Sequence, residues 1–154
     1  MSLLLSTLLF LHLLAAAFWV GGMALMHFAV RPAAVATLEP PMRLPFLAAT
    51  LSRFFVGVST AIVVLLASGL LMVWVSGGFG RVHWSVHAML TIGLVMMALF
   101  LHIRFAPYPR LQRAVAAREW PVAAANLNAI RKLVAVNLAL GVLVFAFAVI
   151  GRSV

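Results

Sequence analysis

Apolar residues run almost unbroken through four stretches, Leu4 to Val30, Phe54 to Val75, Val82 to Ile103 and Leu133 to Ile150, and polar positions gather between them. Each stretch is about 20 residues or more, enough to cross a ~30 Å hydrocarbon layer as a helix. A helix satisfies its backbone within one segment in lipid and an open sheet does not. The pattern therefore predicts an all-α, integral membrane four-helix bundle forming one domain over residues 1–154. The turn Gly77-Gly78-Phe79-Gly80 is short, which makes spans two and three antiparallel neighbours. The connections 31–53 and 104–132 are longer and carry Pro40, Pro41, Pro45 and Pro121, alanine-rich helical pattern and most of the charge. They read as interfacial helix extending the spans.

The polar positions also repeat. His12 and His27 map onto His87 and His102 at one offset, and Pro45, Ala48, Ala49 and Leu51 map onto Pro121, Ala124, Ala125 and Leu127 at an offset one residue longer. The unit is two helices plus a long connection. Because each unit crosses twice, both copies point the same way, related by a pseudo-twofold axis along the membrane normal. Spans one and three are then equivalent and face each other across that axis.

Composition and charge fix the setting. The chain is 66% apolar and 8% charged, against about 45–50% and about 25% in an ordinary soluble domain. Arg31, Arg43 and Arg53 border the first long connection and Arg104, Arg110, Arg113, Arg118, Arg131 and Lys132 the second, whereas the opposite face has Arg81 and Arg152. Positive-inside counting places both long connections in the cytoplasm and both termini on the periplasmic side of a bacterial-type inner membrane. The net charge of +9 is thereby topology, with attraction to anionic headgroups as a by-product. No nucleic-acid partner is expected, since the cations border lipid-embedded segments and form no separate basic domain. Ala15-Ala16-Ala17 imitates a leader cleavage site, but no basic region precedes it and the apolar run continues to Arg31, which argues against a cleaved signal peptide. The chain has no cysteine, which removes disulfides, thiolate-held iron–sulfur clusters, covalent haem attachment and cysteine-ligated copper.

Chemistry then rests on histidine. An unpartnered buried polar group costs roughly 2–7 kcal/mol, so imidazoles in membrane spans need partners. Matching depths pair His12 with His87 on the outer side and His27 with His102 on the inner side. Fifteen residues of helix rise ~22 Å, and the second ring lies about 60° round from the first; either rotated ligand planes or a local irregularity, with Gly21-Gly22 as its candidate site, is expected. Zinc or copper normally takes three or four protein ligands, and the spans contain no carboxylate, Glu39 and Glu119 being the only acids. Haem needs only two axial histidines. Two b-type haems, one per pair, are the expected cofactors. Gly21 and Gly22, with Gly57, Gly69, Gly93 and Gly141, would give the macrocycles room. Trp19 should point into the gap between them, and Arg31 and Arg104 are topology anchors that also suit propionates.

Each feature has a plainer role. A single membrane histidine commonly bonds a neighbouring helix, glycines commonly serve helix packing, and Trp19 suits a core. Trp74, Trp84, Trp120 and Tyr108 read as interfacial belt residues. His83, one helical turn before His87 and beside Arg81, reads as a boundary histidine. If the protein is an enzyme, an oxidoreductase, Arg81 and His83 are the catalytic candidates at the outer mouth, where a small anion would be attracted.

The segment Leu11-His12-Leu13-Leu14-Ala15-Ala16-Ala17-Phe18-Trp19-Val20-Gly21-Gly22, closed by Arg31, resembles the first helix of CopD-like membrane proteins. In its His, Trp and later Arg it is also similar to HemJ-type protoporphyrinogen oxidases, whose four-helix cores bind haem. The overall plan resembles small four-helix di-haem cytochromes b. These resemblances imply electron transfer across the bilayer between a quinone, superoxide or a partner protein and a second redox partner, in a monomer or homo-oligomer. The alternative reading is a copper transport or copper-binding membrane protein. Met23, Met26 and His27 fall at i, i+3 and i+4, and Met96-Met97 with His102 mirror them; thioethers favour Cu(I), although methionine is also ordinary core filler.

Overall fold

The computed structural model describes residues 3–151. Helix α1 (Leu3–Leu25) passes through a π-helical turn (Met26–Val30) into α2 (Arg31–Thr37), followed by α3 (Pro40–Val75), α4 (Trp84–Phe105), α5 (Pro107–Ala116) and α6 (Trp120–Ile150). No strand occurs among the described residues. Four helical runs, Leu3–Thr37, Pro40–Val75, Trp84–Ala116 and Trp120–Ile150, are long and apolar enough to cross a membrane. Large apolar side chains remain exposed along all four, among them Phe10, Val63, Leu94 and Val142. Helices that are apolar all round face lipid on the outside and one another within.

Proline and glycine set the boundaries. Pro40 and Pro121 open α3 and α6, where the missing N–H is no loss. Pro107 opens α5 after a break at Ala106, whose φ of −111° and ψ of −78° are distorted from those of a regular helix. At the other end of the bundle, Gly77 and Gly78 take φ of +94° and +89°. The Gly78 N–H donates to the Val73 carbonyl at 2.9 Å, closing α3 with a left-handed cap that a side chain would strain.

The long connections are helical and extend the spans, as expected. At 1.5 Å per residue, the 36 residues of α3 reach ~54 Å and the 31 of α6 ~46 Å. Both exceed a ~30 Å hydrocarbon core, so α3 starts well before Phe54 and α6 well before Leu133. Their proximal halves carry Arg43, Arg53, Arg131 and Lys132.

The element order repeats once: a long helix, a short continuation, then a second long helix. The principal packing pairs, α1 on α3 and α4 on α6, are the two copies of that unit. Two details differ from expectation. Glu39 and Glu119 are the residues immediately before α3 and α6, whereas Pro45 lies inside α3 and Pro121 opens α6, so the helix starts register the acids and not these prolines. Second, α4 packs chiefly on α6 and α5, and not on α3 to which the glycine turn joins it. Spans one and three meet across the bundle through Trp19 and Phe100, edge to face at 6.3 Å. Phe55 of α3 joins the same cluster, 5.6 Å from Phe100 and 5.0 Å from Tyr108.

Tyr108 corrects the belt assignment. It is 1% exposed, and its hydroxyl donates to the Ala48 carbonyl of α3 at 3.3 Å. Its position in α5, which folds back onto α6 and α3, turns it inward. Trp120 is half-buried against the core, whereas Trp74 and Trp84 are exposed and remain suited to an interface.

Candidate metal site of the bundle

His12 sits in a notch built by two small residues. The buried Ser68 hydroxyl is 2.9 Å from His12 Nδ1, and a side chain at Gly69 would meet His12 Cε1 at 3.2 Å. The tautomer follows from counting hydrogens. Ser68 donates its one hydroxyl proton to the Val64 carbonyl at 2.6 Å, so Ser68 Oγ accepts from His12 Nδ1–H. Nε2 is left as the lone-pair nitrogen. A partner on one ring nitrogen that orients the other is how ligating histidines are held.

His27 lies in the π-helical turn. Pro32 has no N–H for the Phe28 carbonyl and its ring crowds that carbonyl, so the preceding turn widens and the Arg31 N–H donates to Met26 instead. The helix between His12 and His27 is regular through Leu25, Gly21-Gly22 included, and the π turn begins only at Met26, so the irregularity expected between the two histidines is absent and another lies at and beyond the second. Gly21 faces open space, and Gly22 accommodates the Phe54 ring. Met26 and His27 line a small cavity of about 40 Å³ together with Arg31, Leu47, Leu51, Leu127, Ile130, Arg131 and Val134. Such single π turns recur at functional sites.

The other histidines have different settings. His87 is exposed, its Nε2 3.1 Å from the Phe79 carbonyl of the glycine turn, and so donates there. His102 is exposed on the last turn of α4. His83 precedes α4 and its Nδ1 accepts from the Ser85 N–H at 3.4 Å; this capping role was not foreseen from sequence. Arg81, also exposed, lays its side chain against Gly77. Arg104 lies over the rings of Tyr108 and Phe105, at 5.5 and 5.9 Å, which accounts for its partial burial. Trp19 is 3% exposed in the core, inside the bundle as expected.

For a pair of haems these residues do not fit. His12 turns to α3 and His87 to the turn, and Trp19, Phe55 and Phe100 fill the space between α1 and α4. No three His, Cys, Asp or Glu side chains converge among the described residues. Two thioethers are buried in the core. Met23 and Met96 are 2% and 3% exposed, and Met96 Cε approaches Gly141 of α6, whose other neighbour is Val20 of α1. Four residues earlier on the same α6 face, Asn137 is 2% exposed and its Oδ1 has no hydrogen-bond partner. Sequence reading passed over Ser68 and Asn137, although each is a small polar residue in an otherwise apolar span.

A comparison with protein families matches residues 48–150 to copper resistance protein D. The chain belongs to the copper resistance protein D family. The match runs from Ala48 in α3 to the end of α6, and so includes Met96, Met97 and Asn137 but not the α1 segment on which the sequence resemblance was drawn. No curated protein and no solved structure gives a significant match. Membership in this family and the four apolar helices make the chain a multi-pass membrane protein.

Proposed function

We propose that this protein binds monovalent copper inside the bundle and passes it along the membrane normal, as one four-span domain of an inner membrane with both termini outside. The observation that carries the reading is the adjacent lining of one cavity by Met26 and His27, a thioether and an imidazole, in a chain of this family. Thioether and imidazole donors select Cu(I) over harder cations. Met23, Met26 and His27 would hold the ion at one station, Met96 and Met97 on α4 at another, and His12 Nε2 near the glycine-turn end. The ion is cargo, so low coordination and easy release suit the task better than a closed tetrahedral shell. The cytochrome reading has no comparable support.

The test is copper content per chain after purification under reducing conditions. The parent protein should retain at least one Cu(I), and Met23→Leu, His27→Ala and Met96→Leu should each lower retention by about tenfold while the fold persists. A parent protein that retains no copper, or that carries a tetrapyrrole visible band abolished by His12→Ala, overturns the reading.

A further inference from the structure

The half-buried cations of this chain are unequal. Arg53, Arg110, Arg113, Arg118 and Lys132 are exposed to solvent, whereas Arg31 of α2, Arg43 of α3 and Arg131 of α6 are partly buried. Arg31 and Arg131 border the same cavity. Arg31 of α2 and Arg131 of α6 thus meet at one cavity, Arg43 of α3 is near enough for its charge to act on Arg31, and no carboxylate lines that cavity. Arg131 Nε donates to Asn128 Oδ1 at 3.1 Å, and among the described residues most of the other guanidinium donors, five on each group, remain available. Three like charges brought together at the edge of an apolar region repel, and a bound anion removes that cost.

Two observations point to the kind of anion. The cavity wall below the arginines is aliphatic, formed by Leu47, Leu51, Leu127, Ile130 and Val134, so the charge belongs at the rim. Next in sequence to the cavity's lining residues and to Arg43, Phe28, Met42 and Phe46 are exposed at 72%, 66% and 47%, apolar surface where the first apolar span ends. Cation above and hydrocarbon beside is the complement of an amphiphile. Guanidinium forks match phosphate oxygens two at a time.

We propose that Arg31, Arg43 and Arg131 form a specific site for the phosphate diester of an anionic phospholipid at the loop end of the bundle. The site shares its cavity with Met26 and His27 of the copper reading, and the substitutions below act on the arginines while leaving those two donors in place. It differs from the general attraction of a basic surface to a membrane in that it depends on these three arginines and not on the exposed cations beside them.

The test is native mass spectrometry and thermal stability of the full chain in neutral detergent, titrated with phosphatidylglycerol, with phosphatidylcholine and with inorganic phosphate. One phosphatidylglycerol should be retained per chain and raise the melting temperature. Arg31→Gln and Arg131→Gln should each weaken retention by about tenfold, Arg31→Lys less, and Lys132→Gln should leave it unchanged. Helical circular dichroism distinguishes a lost site from a lost fold. Equal weakening by Lys132→Gln, equal retention of phosphatidylcholine, or equal binding of inorganic phosphate with the same variant dependence overturns the proposal.

Discussion

Ser68 shows how one small polar residue decides the state of another. Its single proton is committed to the Val64 carbonyl, so it must accept from His12 and thereby selects the Nδ1–H tautomer. Ser68→Ala should cost about 1 kcal/mol of stability, the net worth of a hydrogen bond, and let the ring rotate. Unfolding in mixed micelles measures the first effect and nitrogen NMR of labelled histidine the second; an unchanged tautomer would refute the assignment. His12 was legible as a special position because an imidazole in hydrocarbon needs a partner. Which partner it has was not, since Ser68 lies far along the chain on another helix. Asn137 is the converse case. Its unsatisfied Oδ1 leaves a desolvation cost of about 1–3 kcal/mol, so Asn137→Leu should stabilise the bundle by roughly 1 kcal/mol in the same unfolding assay. A loss of stability would mean that the oxygen has a partner in the membrane.

Among the elements, the π turn carries the most consequence. Pro32→Ala restores the missing donor to the Phe28 carbonyl, and a regular helix there would rotate α2 by up to about 100°. Helix stability should rise while copper retention and phosphatidylglycerol binding both fall, because Met26, His27 and Arg31 would leave their common cavity. Retention of both ligands at the parent level would show that the turn is not needed to aim these residues. The packing of α6 against α1 and α4 is as close as Gly141 allows: a Cβ there would meet Val20 at 2.7 Å and Met96 at 3.3 Å. Gly141→Ala should cost about 1–3 kcal/mol through overpacking, read as a lower midpoint of unfolding. The long apolar runs gave these helices away in the sequence. Their extension through the long connections was legible too; what did not show is that the proximal halves of α3 and α6 pack against α5 and α2, since those contacts join segments distant in sequence.

For the whole molecule, charge distribution gives an expected orientation: Gly80 outside and Arg113 inside. The chain lacks cysteine, so Gly80→Cys and Arg113→Cys can be probed one at a time in intact cells. An impermeant maleimide should label the first and spare the second; the reverse pattern would invert the topology. The tandem arrangement was readable from the recurring histidines and connections, and α1 with α3 and α4 with α6 are its structural copies. The equivalence of the histidines along the chain does not extend to their surroundings. His12 and His27 lie within the bundle or beside a cavity, while His87 and His102 are exposed, so equal spacing did not mean equal surroundings.

Sequence alone determined that four helices cross the membrane, in two like units, because lipid leaves an apolar chain no other way to satisfy its backbone. It also marked the residues that cannot be left to lipid. Only the tertiary structure decided which of them meet. Helix rotation and the choice of packing partner depend on side-chain fit across distant segments: Phe100 against Trp19 and Phe55, Tyr108 against Ala48, and His12 against Ser68.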